Sequence, residues 1–121
     1  MFKVQDYREV EAEPFEGAPG VTIRWVIDEH LDDAPTFAMR IIEVQPGSAT
    51  PYHTHWQEHG NYILEGIGYV RYGEEVHRVK AGDVVFVPPD AQHQYVNDGD
   101  GVLRFICVIP LPWVRKARQG A

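Results

Sequence analysis

Hydrophobic and polar positions along this chain alternate over short stretches. Phe37-Ala-Met-Arg-Ile-Ile-Glu-Val-Gln45 and Val102-Leu-Arg-Phe-Ile-Cys-Val-Ile109 are rich in β-branched and aromatic residues, as half-buried strands are. The same reading predicts strands over Val21–Ile27, Phe37–Gln45, His59–Glu65, Ile67–Tyr72, Glu75–Val79, Asp83–Val87 and Val102–Ile109. Between them stand Pro46-Gly47, Glu65-Gly66, Tyr72-Gly73-Glu74, Ala81-Gly82, Pro88-Pro89-Asp90 and Asp98-Gly99-Asp100-Gly101. Each suits a turn, because Gly accepts positive φ and Pro presets it. Many short strands closed by turns predict an all-β sandwich or small barrel, in which closure protects the sheet edges.

Composition sets the boundaries of function. The chain has 121 residues, 44% hydrophobic and 24% charged, the size and balance of one globular domain. Its formal net charge is −7, without a basic block, so phosphate neutralisation is a poor basis for binding and nucleic acid is not an expected partner. The uncharged stretch from Phe105 to Val114 is ten residues long and contains two prolines, too short for a membrane span of roughly 20 residues. The N-terminus turns polar at once, lacking the apolar core of a secretory signal, and a cytoplasmic location is expected by default. Cys107 is the single cysteine, so an internal disulfide and a thiolate zinc cluster are both excluded. Residues 1–20, acidic and interrupted by Pro and Gly, read as an N-terminal arm that either wanders or adds an edge strand. Residues 21–114 form the domain, and 115–121 form a basic tail. The arm and the apolar segment Leu111-Pro-Trp113-Val114 give the chain the means to pair, so a homodimer is expected.

The chemistry-bearing residues are histidines in two places. His53, His55 and His59 fall within seven residues, and His93 follows the Pro88-Pro89-Asp90 turn. In an extended segment His53 and His55 share a face. His59 comes four residues later, after a bend at Trp56-Gln57, and a hairpin-like return could bring it to the same ion. His-x-His alone is a weak signal, but three histidines so close are hard to explain as plain surface. His30 and His77 stand among charged residues and read as surface. Imidazole ligands without thiolate suit Zn, Cu, Fe, Ni and Mn.

At these residues the chain resembles the cupins. Gly47, His53, His55, His59 and Gly66 fit G-x5-H-x-H-x3-E/H-x6-G, and Gly82, Pro88, His93 and Asn97 fit G-x5-P-x-G-x2-H-x3-N, with 15 residues between the two motifs. The resemblance implies a double-stranded β-helix, or jelly-roll barrel, with the metal inside. It points to the small single-domain cupins whose ion, often manganese, is held by four histidines, here His53, His55, His59 and His93. One divalent transition metal per chain is therefore expected, Mn foremost, with Fe, Ni, Cu or Zn as alternatives. Two positions depart from the pattern. His59 replaces the usual glutamate, while Glu58 beside it faces the other way on a strand. Asp90 replaces a glycine, and Asp tolerates left-handed geometry.

Strand parity extends the pocket. Ile42 and Val44 look buried and Glu43 exposed, which turns Arg40 inward, either as an anchor for a substrate carboxylate or as an ordinary salt-bridge partner at the barrel mouth. Tyr95 shares a face with His93, and Phe105, Cys107 and Ile109 share one on the last strand; together they make an apolar wall. Cys107 reads as wall rather than nucleophile. Trp56 either covers the entrance or packs under its loop. The functional expectation is a metal-dependent oxidoreductase, dioxygenase-like or peroxide-using, acting on a small organic molecule. A non-catalytic binding or sensing module, or a metal-dependent isomerase or decarboxylase, is the alternative.

Overall fold

Period-two alternation decides the architecture. Along β3 (Phe37–Val44) and β9 (Leu103–Pro110) every second side chain is buried, so both strands present one face to a common interior. The computed structural model describes residues 2–119. Among these are nine strands: β1 (Glu13–Pro14), β2 (Val21–Ile27), β3, β4 (His59–Glu65), β5 (Ile67–Tyr72), β6 (Glu75–Lys80), β7 (Val84–Val87), β8 (His93–Val96) and β9. Two short helices, α1 (Glu29–Asp32) and α2 (Pro112–Gln119), complete the regular structure beside a 3-10 turn at Tyr7–Glu9. The result is an all-β barrel, as the turn spacing predicted, in the jelly-roll form that the resemblance implied.

Six strands form one sheet in the order β1-β2-β3-β9-β4-β7, and three form the other in the order β6-β5-β8. Every pairing is antiparallel. The second sheet is extended by the segment before β4, where Ala49 pairs with Val96 and His53 with His93. Thr50 N–H donates to the Tyr95 carbonyl at 2.9 Å, and the Tyr95 N–H donates to Thr50 Oγ1 at 2.9 Å. This pairing lays one histidine motif beside the other.

The core lies between the sheets. Ile42, Val44, Ile63, Val70, Leu103 and Phe105 are buried there, and the Tyr95 ring stacks on Phe105 with centres 4.3 Å apart. Asn97 closes one end of the barrel: its Nδ2 donates to the Val44 and Gly101 carbonyls, both at 2.8 Å, and its Oδ1 accepts from Gly99 N–H at 2.9 Å. Gly66 sits at φ 92°, where a Cβ would come 2.2 Å from the Val102 carbonyl oxygen. The β4–β5 corner therefore requires glycine.

Two features differ from the sequence reading, and a third follows one of its alternatives. His93–Val96 is a strand, β8, where only a turn and a following histidine were expected. The start of the basic tail is helical, because Pro112 opens α2 and Trp113 Nε1–H donates to the Pro35 carbonyl. The arm adds an edge strand, one of the two courses expected for it: Glu13–Pro14 pair with β2, Ala18 is buried in the core, and Phe15 reaches the histidine cavity. Of the expected arm and tail, Met1, Gly120 and Ala121 lie outside the described residues. No helix among the described residues is long and apolar enough to cross a membrane.

Candidate metal centre

Two strands from opposite sheets and one loop bring the histidines together. His59 opens β4 and His93 opens β8, both pointing inward, while His55 comes from the irregular segment before β4. Each of these three offers a ring nitrogen, and those atoms all lie within 4.8 Å of one another. The ring centres of His59 and His93 are 4.9 Å apart, and those of His55 and His59 are 5.1 Å apart. His53 stands at the exposed rim with its ring 4.2 Å from that of His55, outside the three-nitrogen cluster. His53 and His55 nevertheless face the same cavity, as expected, with His53 nearer its mouth. His30 and His77 are exposed beside Glu29 and Glu75, remote in role from the cluster. Asp90 adopts φ 63°, so the turn leading to His93 keeps its left-handed residue without glycine.

The ring orientations are fixed from behind. His93 Nδ1 lies 3.0 Å from the Ala91 carbonyl, an acceptor only, so Nδ1 carries the proton and Nε2 keeps its lone pair. His59 Nδ1 lies 3.1 Å from Cys107 Sγ, and its buried Nε2 has no hydrogen-bond partner in the protein. Outer contacts of this type are what hold a ligating imidazole in its metal-binding tautomer. Burial lowers the His59 pKa to about 3, with the Arg40 charge and the neighbouring histidines adding to the effect. Burial, then His53, His93 and Arg40, lower that of His55 to about 4. Burial likewise lowers that of His93, against the opposing hydrogen bond to Ala91. Neutral imidazoles with an orphaned buried nitrogen fit a borderline divalent ion.

The cavity in front of these rings encloses about 40 Å³. Arg40, Ile42, Asn61, Tyr95, Phe105 and Cys107 line it together with His53, His55, His59 and His93. Arg40 faces inward, as parity required; its Nη2–H donates to Cys107 Sγ at 2.9 Å, and its guanidinium lies 5.3 Å from the Trp25 ring centre. Ile109 is on the same face of β9 as Cys107 but one step further along, outside the cavity lining. Trp56 is also outside it, with its ring 5.7 Å from the Arg115 guanidinium of α2. Glu58 is half-buried and does not line the cavity. Asn61, which the sequence reading passed over, shares the parity of His59 and Ile63 on β4, and that parity was the signal available for it.

Residues 40–109 match the cupin domain family. The chain is a cupin. It is 30% identical over 95 residues to an uncharacterised protein of Methanocaldococcus jannaschii, a match covering 78% of this chain and 76% of that one. Another cupin-sized stretch, 74 residues at 34% identity, matches the 1-methylthio-D-xylulose 5-phosphate methylsulfurylase of Rhodospirillum rubrum. That match covers 61% of this chain and 47% of the enzyme, so this cupin spans about half the enzyme's length. Among solved structures, the polyketide cyclase RemF from Streptomyces resistomycificus superposes with a TM-score of 0.85 at 32% identity, covering 91% of this chain and 80% of the cyclase.

Proposed function

We propose that this cupin is a metal-dependent enzyme that stabilises negative charge on an oxygen of a small organic substrate. The observation that carries this reading is the pairing of a buried guanidinium, Arg40, which has no carboxylate partner among the described residues, with three imidazoles whose free nitrogens converge. An uncompensated buried charge is costly, and an enolate or carboxylate oxygen entering the cavity offsets that cost. In this reading His55, His59 and His93 hold the ion and His53 supplies the fourth position from the rim. A divalent transition metal there, manganese foremost, supplies Lewis acidity, and electron transfer if it is redox-active.

The chain's own residues do the rest. Arg40 orients the anionic oxygen, held in place by Cys107 and the Trp25 face. Ile42, Phe105 and the Tyr95 ring keep bulk water from the reacting atoms, which strengthens every charge interaction inside. Cys107 and the Ala91 carbonyl keep two imidazoles facing forward. The likeness to RemF, a polyketide cyclase, supports this reading over an oxidation. The oxidoreductase reading keeps the same residues and rests on the all-imidazole ligand set, which also suits iron, copper and manganese.

Reconstitution of metal-free protein with zinc, manganese or iron tests this. A panel of small 1,3-dicarbonyl and 2-oxo acid compounds is followed by mass spectrometry and an oxygen electrode. Turnover retained with zinc and without dioxygen uptake is expected. Dioxygen uptake with manganese or iron and none with zinc would assign the oxidoreductase reading instead. Binding of unchanged compounds with every metal would overturn the enzyme and leave a binding module.

A further inference from the structure

The register across the larger sheet places three polar side chains in one row. Arg40 on β3 is paired with Cys107 on β9, which is paired with Asn61 on β4, and all three face the cavity. The rung beside it, Ile42, Phe105 and Ile63, is wholly apolar. Tyr95 reaches toward the same place from the opposite sheet, and burial together with Cys107 raises its pKa well above the usual phenol value.

The polar groups around the cavity are not all satisfied from within the protein. Arg40 Nε, Asn61 Oδ1 and the Tyr95 hydroxyl are all buried without a hydrogen-bond partner. Their residues are 8%, 3% and 2% exposed. The Asn61 amide is oriented by its Nδ2, which donates to the Ile106 carbonyl at 3.3 Å, so the free atom is the acceptor Oδ1. Buried polar groups in folded proteins are nearly always paired, and leaving one unmade costs more than forming one contributes. Three in one cavity, beside converging imidazoles, describe a binding surface awaiting its complement.

The complement can be read from the donors and acceptors. Arg40 is a cationic donor and calls for an anionic oxygen. Asn61 Oδ1 only accepts, so it calls for an O–H or N–H on the ligand, and the Tyr95 hydroxyl can serve either way. We propose that Arg40, Asn61 and Tyr95 form a recognition site for a hydroxycarboxylate, with the carboxylate on Arg40 and the hydroxyl hydrogen on Asn61 Oδ1. All three residues line the cavity in front of the imidazoles, which reaches the rim at His53. The proposal builds on the metal-dependent reading above by naming the substrate class of the same site.

Calorimetric titration of zinc-loaded protein with glycolate and with acetate tests it, zinc content being measured for every variant. Glycolate is expected to bind about tenfold or more tightly than acetate, and Asn61→Leu to remove most of that ratio while acetate affinity stays the same. Chelation of the ion by both glycolate oxygens would also favour glycolate, but that preference survives in Asn61→Leu; an unchanged ratio in the variant therefore overturns the proposal. Tyr95→Phe removes an unpaired buried hydroxyl, so it is expected to raise the melting temperature while weakening glycolate binding. Unchanged glycolate affinity in Tyr95→Phe removes Tyr95 from the site. Arg40→Gln is expected to weaken both ligands. If zinc fails to bind the wild-type protein, the metal reading fails by itself, and the glycolate ratio measured without metal still decides the polar row.

Discussion

Asn97→Ala isolates the closure that holds the two sheets in register. The Asn97 side chain is 1% exposed and makes three hydrogen bonds, to the Val44 and Gly101 carbonyls and from the Gly99 N–H. Truncation removes all three and leaves the partners to find water in a closed corner. At about 1 kcal/mol net per bond, with more for the buried Val44 carbonyl, the loss is about 3–4 kcal/mol. For a domain of this size that is a fall in melting temperature of roughly 10–20 °C. Asn97→Asp sharpens the test, since it keeps the volume and the acceptor for Gly99 but turns a carboxylate oxygen toward two carbonyl oxygens. It is expected to cost at least as much as alanine. Urea unfolding followed by circular dichroism and by tryptophan fluorescence reads both variants, and coincident transitions license the comparison. A loss below about 1 kcal/mol for alanine, or a tolerated aspartate, would refute the assignment of these bonds as the closure.

Acid lability of the metal-free protein follows from the same interior. His59 protonates at about pH 3 when folded, against about 6.5 for an ordinary imidazole; the unfolded chain therefore binds the extra proton between those values, and stability falls as pH drops through that window. At pH 5 the contribution lost is about 2 kcal/mol, measurable as a lower urea midpoint than at pH 7.5. His59→Ala or His93→Ala is expected to lower metal affinity by at least about tenfold, with a smaller loss for His53→Ala and none for His30→Ala or His77→Ala, by equilibrium dialysis with elemental analysis. Gly66→Ala should lower stability by more than about 1 kcal/mol, because the added Cβ meets backbone and the φ is left-handed; an unchanged denaturation midpoint would show that the corner can shift.

Much of this site was legible because strands write their faces into the sequence. Arg40 was placed inward from Ile42, Val44 and Glu43 alone, and the barrel shows it there. Parity names a face but not a height along it, which is why Ile109 was put in a wall it does not join. Trp56 lies in a segment with no periodicity, so nothing local fixed its ring against Arg115 rather than the cavity mouth. The four residues of β8 are too few to establish a pattern, and the strand exists because residues 49–53 and β5 pair with it from both sides. Asn61 carried no motif, and its unpaired oxygen becomes visible only when β9 and β3 are laid beside it.

The backbone link between the two histidine segments also determines when the site comes into being. His93 N–H donates to the His53 carbonyl at 3.5 Å across 40 positions of chain, and Arg40 meets Cys107 across 67. Contacts of such long sequence separation require loop closure before they return any stabilisation, and β topologies dominated by them fold in milliseconds to seconds. The unfolded chain can present His53, His55 and His59 as a local trio, but neither His93 nor Arg40 joins them until the sheets close. In the metal-dependent reading proposed above, uptake of the ion during refolding is consequently expected to be a late event, paced by chain closure rather than by arrival of the ion.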